Sequence, residues 1–169
     1  MINYREAVVD DAAAYVAHMN RAGGESDFLA FDSDAFYLTE ERARDVLDSY
    51  IRAENQAFFV ASRGNELVGI AMLESSPMPR LRHAAELRIA VARSCWGTGV
   101  AKQLMAMTND FFEESTVLTR LFLQVSTRHE RGIALYRRFN FVDEGIKRAA
   151  MKVRDNYHDL LMMARLKPY

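Results

Sequence analysis

The sequence predicts one α/β domain, in which a mixed sheet of six to seven strands is flanked by helices. The chain has 169 residues and half of them are hydrophobic, which is enough for a single domain with a real core over residues 1–169. Ala84–Val91 is a short apolar segment before a glycine-containing loop, and Val100–Glu114 then shows helical spacing, so strand, turn and helix follow one another. Two apolar runs, residues 57–62 and 67–73, predict a β-hairpin.

The first helix is expected near the N-terminus. Asp10 or Asp11 can serve as its N-cap, because a carboxylate accepts hydrogen bonds from the free N–H groups of a first turn. Gly23 and Gly24 are expected to end it after about Arg21.

The remaining elements follow from the same patterns. Thr39 is the expected N-cap of a second helix that extends to about Asn55, with acidic residues in its first turn. After the Val100–Glu114 helix, a fourth helix contains Tyr136. Further strands are predicted over residues 2–7, 121–125, 141–153 and 157–166.

Composition excludes several classes of protein. The 22 Lys and Arg residues nearly balance the 23 Asp and Glu residues, which argues against a dedicated nucleic-acid binder. No apolar run approaches the roughly 20 residues of a membrane span, and the polar start shows no signal peptide. We therefore expect a cytoplasmic protein. A single cysteine and four scattered histidines predict neither a disulfide nor a metal site.

Local charge is less even than the total. Residues 120–169 carry 11 Lys and Arg but five Asp and Glu, which would suit an anionic cofactor. Residues 20–38 carry one base and four acids, which would suit a cationic amine. For most of these charges, however, we expect ordinary solvated surface. The four acids are Glu25, Asp27, Asp32 and Asp34.

Gly97 and Gly99 stand directly before the helix that follows the Ala84–Val91 strand. Glycine allows a ligand to approach the backbone closely, and a helix start offers unpaired N–H groups and a positive dipole end. By itself the pattern fits a phosphate site and a plain tight turn equally well. No Gly-Lys-Ser/Thr ending follows, so the loop is not a Walker A motif.

This loop resembles the signature of the GNAT superfamily of acetyl-CoA-dependent N-acetyltransferases, which has Gln/Arg-x-x-Gly-x-Gly/Ala after the fourth strand. Gly99, Val100 and Ala101 fit the second half of the signature, and Trp96 stands where Gln or Arg is usual. Because the main chain provides most of the contacts in such a loop, the change at Trp96 is tolerable.

A second stretch resembles the superfamily's later helix, Asn-x-x-Ala-x-x-Leu-Tyr-x-x-x-Gly-Phe. The residues that match are Leu135, Tyr136 and Phe141. The residues that depart from it are His129, Gly132 and Asn140. Asparagine tolerates positive φ better than most residues, so Asn140 can hold the turn that glycine usually forms. The resemblance extends from about residue 2 to residue 166.

The resemblance implies a mostly antiparallel sheet that splays between its fourth and fifth strands, with the pantetheine arm of acetyl-CoA in the gap. It implies direct transfer of an acetyl group to a primary amine, either a small amine or a protein or peptide amine. A homodimer is compatible with the sequence. The alternative is a non-catalytic acyl-CoA-binding regulatory module on the same fold, because fold alone does not settle function.

The resemblance also implies which residues contact acetyl-CoA. We expect contacts from the main chain of the strand, from the glycine loop (residues 97–102) and from one histidine. These residues are Ile89, Ala90, Val91, Gly97, Thr98, Gly99, Val100, Ala101, Lys102 and His129. Core packing is the alternative for Ile89 and Val91, and a helix cap or an exposed side chain is the alternative for His129.

Two residues are candidates for catalysis. Tyr136 is expected to donate a proton to the departing sulfur, with core packing as the alternative. Glu86 is expected to accept a proton from the amine, directly or through water, with a structural carboxylate as the alternative. Gln124 stands where related protein N-terminal acetyltransferases have a glutamate base, and His83 is a weaker candidate.

Overall fold

A seven-stranded sheet crosses the molecule in the computed structural model, which describes residues 1–168. The strands are β1 (Asn3–Glu6), β2 (Ala57–Arg63), β3 (Glu66–Ser75), β4 (Ala84–Val91), β5 (Arg120–Ser126), β6 (Val142–Val153) and β7 (Asn156–Leu166). The helices are α1 (Ala12–Glu25), α2 (Glu40–Arg52), α3 (Val100–Glu114) and α4 (Glu130–Arg138), with short 3₁₀ turns at Val9–Asp11 and Arg93–Cys95.

The strand order is β1-β2-β3-β4-β5-β7-β6, and every neighbouring pair is antiparallel except β4 and β5. This confirms the predicted α/β fold with a mixed, mostly antiparallel sheet. Helix α3 packs on one face of β2, β3 and β4, and α1 and α2 pack on the other face. Side chains of β4 alternate between the two cores: Leu87 lies on the α3 side and Ala90 on the α1 side.

The parallel pair β4 and β5 separates along its length. Only three residue pairs join the two strands, from Ala84 with Arg120 to Glu86 with Phe122. Beyond Glu86, β4 continues to Val91 alongside β3, while β5 continues beside β7. The carboxyl ends of β4 and β5 therefore form the two sides of a cleft, as the resemblance implied.

Backbone pairing decides which groups of β4 face this cleft. The N–H of Ala92 points toward β3 and donates a hydrogen bond to the carbonyl of Val68 on that strand at 2.9 Å. Main-chain N–H and C=O groups alternate in direction along a strand. Those of Ala90 therefore also point toward β3, whereas those of Ile89 and Val91 point toward the cleft.

Helix α1 differs from the prediction at its C-terminal end. It continues through Gly23 and Gly24 to Glu25. A Cβ atom at Gly23 would lie 2.5 Å from the main-chain oxygen of Asp32. The glycine therefore serves close packing of the following loop against the helix, and the prediction that it ends the helix was wrong.

The start of α1 also differs in detail. Asp11 occupies the N-cap position, but its side chain does not cap the helix. Its carboxylate accepts hydrogen bonds from the Arg5 guanidinium at 2.7 and 2.8 Å and from the N–H of Val8 at 2.8 Å. The bond from Arg5 is the main reason that the pKa of Asp11 lies below its ordinary value.

Helix α2 begins as predicted, because the Thr39 hydroxyl accepts a hydrogen bond from the N–H of Arg42 at 3.3 Å. It ends at Arg52, short of the predicted end. Asn55 is instead buried beyond the helix, where its amide donates to the Ser75 hydroxyl at 2.9 Å and to the carbonyl of Arg82 at 3.0 Å.

Candidate active site

The glycine loop connects β4 to α3 at one side of the cleft. Gly97 and Gly99 have φ angles of +75° and +93°, a conformation that other L-residues rarely adopt. A Cβ atom at either glycine would meet nothing within 4 Å, so the backbone there is open to a ligand. Gly99 is the N-cap of α3 and provides no side-chain cap. The first N–H groups of α3 therefore meet the requirements of an anion site.

Trp96 ties this loop back to β4. Its indole Nε1 donates a hydrogen bond to the carbonyl of Val91 at 2.8 Å, and the Arg93 guanidinium lies 5.6 Å from the ring centroid. The indole is 41% exposed. It borders a cavity of about 270 Å³ that is also lined by residues 24–28, Arg93 and Arg154. The residue that departs from the signature thus bonds to a main-chain carbonyl that faces the cleft.

Ala90 is placed differently from its neighbours on β4. Its carbonyl accepts a hydrogen bond from Nε2 of the buried His18 at 3.2 Å, in addition to its place in the pairing with β3. Burial is the main reason that the pKa of His18 lies below its ordinary value, and the nearby Arg21 lowers it further. The main chain of Ala90 is therefore directed away from the cleft, whereas that of Ile89 and Val91 faces it.

Tyr136 lies on α4, at the β5 side of the cleft. It is 8% exposed and packs in the core, with its ring 6.1 Å from that of Phe141. Its hydroxyl makes no hydrogen bond to any residue in the described part of the chain. Burial raises the pKa of Tyr136, so the phenol stays protonated at neutral pH. The ring thus has the predicted core contacts, and the hydroxyl keeps a proton that it can donate.

The turn after α4 is the one that the motif predicted. Asn140 has a φ of +64°, so it does adopt the left-handed conformation that glycine usually provides there. The N–H groups of Asn140 and Phe141 bond to the carbonyls of Arg137 and Tyr136, respectively, at 3.1 Å each. This turn brings Phe141 back against Tyr136.

His129 occupies the N-cap position of α4 but makes no side-chain cap. Its imidazole stacks on Phe28, with the ring centroids 4.3 Å apart and an angle of 12° between the planes. Burial lowers the pKa of His129, and the positive charge of Arg131 lowers it further. The ring is therefore neutral at neutral pH and is held by the segment that follows α1.

Glu86 lies at the point where β4 and β5 separate. Its carboxylate accepts a hydrogen bond from Arg88 at 2.8 Å, and Arg88 also pairs with Glu74 at 2.9 Å. The Glu86 side chain is 23% exposed, so solvent reaches it. The ion pair is what the structural alternative requires, and the access to solvent is what a general base requires. Gln124 on β5 accepts a hydrogen bond from Lys147 at 2.9 Å.

Sequence reasoning missed two residues near these candidates. Arg88 could have been found, since it lies two positions after Glu86 on a strand and therefore shares its face. Phe28 carries no local signal, because its partner His129 is distant in the chain.

Other features of the described residues add little to the site. Within residues 1–168, no three His, Cys, Asp or Glu side chains are arranged to hold a metal ion. No helix there combines the length and hydrophobicity that crossing a membrane requires. A cavity of about 440 Å³ between α1 and the β2–β3 turn contains none of the predicted site residues.

Comparison with known proteins gives consistent matches. The sequence profile of the acetyltransferase (GNAT) family matches residues 26–141. An acetyltransferase of the GNAT family from Streptococcus pneumoniae has 29% identity and a TM-score of 0.95, and the match covers 99% of this chain and 100% of that one. A ribosomal-protein-alanine N-acetyltransferase from Brucella melitensis has 25% identity and a TM-score of 0.80, over 98% and 99% of the two chains.

A more distant match bears on the fold alone. A GNAT superfamily phosphinothricin acetyltransferase from Sinorhizobium meliloti, solved in complex with AcCoA, has 17% identity and a TM-score of 0.80, over 98% of this chain and 88% of that one. No curated protein matches the sequence significantly.

Proposed function

Because this chain belongs to the acetyltransferase (GNAT) family, we propose that it transfers the acetyl group of acetyl-CoA directly to a primary amine. The observation that carries the proposal is the cleft between β4 and β5: the open glycine loop follows β4, and the helix that carries the protonated Tyr136 follows β5. Relatives solved with acetyl-CoA support the choice of acyl donor.

The residues of the cleft fit acetyl-CoA in three respects. The main-chain groups of Ile89 and the N–H of Val91 face the cleft, where they would pair with the amides of the pantetheine arm, while the Val91 carbonyl already accepts the hydrogen bond from Trp96. The N–H groups of the glycine loop, from Gly97 to Lys102, would hold the pyrophosphate at the start of α3. His129 is a candidate contact from the β5 side.

The reaction forms one C–N bond and breaks one C–S bond. The nitrogen of a neutral amine attacks the thioester carbon, and the tetrahedral intermediate then expels the thiolate. Tyr136 would donate its phenolic proton to that sulfur, because a thiolate leaves more readily when its charge is neutralised. Glu86 would accept the proton that the amine loses, directly or through one water. Holding the two substrates together in the cleft supplies a large further share of the rate.

A specific observation favours the second candidate, a non-catalytic acyl-CoA-binding regulatory module. The Glu86 carboxylate is engaged by Arg88, and Gln124, which cannot act as a base, is engaged by Lys147. Such a module would bind acetyl-CoA without turning it over.

One experiment distinguishes the enzyme from the non-catalytic module. Purified protein is mixed with acetyl-CoA and a panel of small primary amines and peptides, including a peptide with an N-terminal alanine, and the release of free thiol is followed. Amine-dependent thiol release with acetylated product supports the enzyme. Binding of acetyl-CoA by calorimetry, without thiol release for any amine, supports the module.

A further inference from the structure

The imidazole of His129 is held by two parts of the chain that are far apart in sequence. Phe28 stacks on the ring at 4.3 Å, nearly parallel to it. Gly132, one turn further along α4, lies against the Cδ2–Nε2 side of the ring. A methyl group at Gly132 would sit 2.5 Å from His129 Cδ2 and 2.8 Å from Nε2. Since real Cβ atoms do not approach so closely, the position of the ring requires a residue without a side chain at 132.

Phe28 belongs to a short segment, residues 25–28, that we call the strap. Its Glu25 carboxylate accepts a hydrogen bond from the N–H of Arg93 at 2.6 Å, directly after β4. Its Asp27 carboxylate lies 3.2 Å from the guanidinium of Arg154, in the turn between β6 and β7. The strap therefore contacts the β4 side of the cleft at one end and, through Phe28 and His129, the β5 side at the other.

We propose that Phe28, His129 and Gly132 form a clamp that fixes the strap across the open end of the cleft, and that His129 acts there as a positioning residue. The clamp does not require the imidazole to touch acetyl-CoA. It also explains why His129 and Gly132 depart together from the Asn and Ala of the superfamily motif. The imidazole of His129 fills the space that an alanine methyl group at position 132 would occupy. The consequence for the acceptor amine rests on the proposed function, but the clamp itself does not.

A double-mutant cycle on the whole chain tests the coupling. The four proteins are wild type, Gly132→Ala, His129→Asn and the double variant. Alanine is a better helix former than glycine and should raise the melting temperature by roughly 2–4 °C wherever it fits. We expect Gly132→Ala to lower the melting temperature when His129 is present and to raise it in the His129→Asn background. A rise in both backgrounds, or a fall in both, would overturn the clamp.

Hydrogen exchange of the strap measures docking separately from helix stability. We expect Gly132→Ala, His129→Asn and Phe28→Leu each to speed exchange of the strap, residues 25–28, by roughly three- to tenfold, the population change that loss of one aromatic pair allows. Phe28→Tyr keeps the stacked ring and should leave the exchange of the strap unchanged. Exchange of the peptide from α2 should be the same as in wild type in every variant. Unchanged strap exchange in all three variants would contradict the proposal.

The positioning role predicts a particular kinetic pattern. Loosening the strap should raise KM for the acceptor amine more than it lowers kcat, and Phe28→Tyr should retain wild-type KM. Equal loss of kcat in all variants with KM unchanged would rule out an acceptor-side role. If no amine is turned over at all, the proposed function fails, while melting and exchange still decide the clamp.

Discussion

The two sides of the cleft are built from different kinds of group. The β4 side offers main-chain groups: Ile89 and Val91 on the strand and the glycine loop beyond them. The β5 side offers side chains: the phenol of Tyr136 and the imidazole of His129. A site made of main chain tolerates a change of side chain, and Trp96 is accommodated by a bond to Val91. A site made of side chains depends on which residues are present, and on the β5 side the change at His129 is coupled to the change at Gly132.

The largest effect is expected on the β5 side. Tyr136→Phe removes the proton donor and keeps the ring in its core packing, so kcat should fall by roughly 10²–10⁴-fold, the usual contribution of a positioned acid. Thermal stability should stay near wild type, because the hydroxyl bonds to no described residue.

Tyr50→Phe is the matched control for this variant. Tyr50 belongs to α2 and packs in the other core, on the α1 and α2 face of the sheet, and its buried hydroxyl has no hydrogen-bond partner among the described residues. We expect normal turnover from Tyr50→Phe. Equal turnover in the two variants would assign Tyr136 to the core alone.

The next largest effect is expected on the β4 side. Gly99→Asp forces a side chain into a positive-φ position and places a negative charge where the pyrophosphate is expected, so the Kd for acetyl-CoA should rise roughly tenfold or more. Gly64→Asp is the control, because Gly64 also has positive φ and open surroundings but lies in the β2–β3 turn. Calorimetry that finds the same Kd for both folded variants would remove the loop from the site.

The sequence predicted the β4 side better than the β5 side, for a physical reason. Glycines before a helix and alternation along a strand are local signals, and they located the loop and the start of α3. The stack of Phe28 on His129 depends on tertiary contact and leaves no local pattern. The ion pair between Arg88 and Glu74 depends on the register of β3 with β4. The passage of α1 through Gly23 depends on packing by Asp32.

A smaller effect concerns stability rather than turnover. The folded protein holds His18 neutral, with its pKa below the roughly 6.5 of an exposed imidazole. As the pH falls below that value, the unfolded chain binds a proton that the folded chain resists, so the free energy of unfolding should decrease. Denaturant titrations between pH 7 and 5 should show a weaker decrease for His18→Gln. Replacing the exposed His83 by Gln should leave the decrease unchanged, and a wild-type slope in His18→Gln would contradict the assignment.

The smallest effect concerns the acids after α1. Glu25 and Asp27 belong to the strap and bond to Arg93 and Arg154, whereas Asp32 and Asp34 are exposed. If this charge attracts a cationic acceptor, the double variant Asp32→Asn, Asp34→Asn should raise the acceptor KM about two- to threefold at low salt. The difference should disappear at high salt, because exposed charges are screened over roughly 8 Å at physiological ionic strength. A KM that is the same at low salt would leave these residues as ordinary surface.

The comparison between the two sides is tested most directly by measuring the Kd for acetyl-CoA and kcat for acetyl transfer in the same set of proteins. Wild type, Gly99→Asp and Tyr136→Phe are titrated with acetyl-CoA by calorimetry and assayed with an accepted amine at saturating acetyl-CoA. The account predicts that Gly99→Asp weakens binding while retaining most of kcat, and that Tyr136→Phe retains binding while losing kcat. It would be contradicted if Tyr136→Phe turned over normally, or if it weakened acetyl-CoA binding as much as Gly99→Asp does.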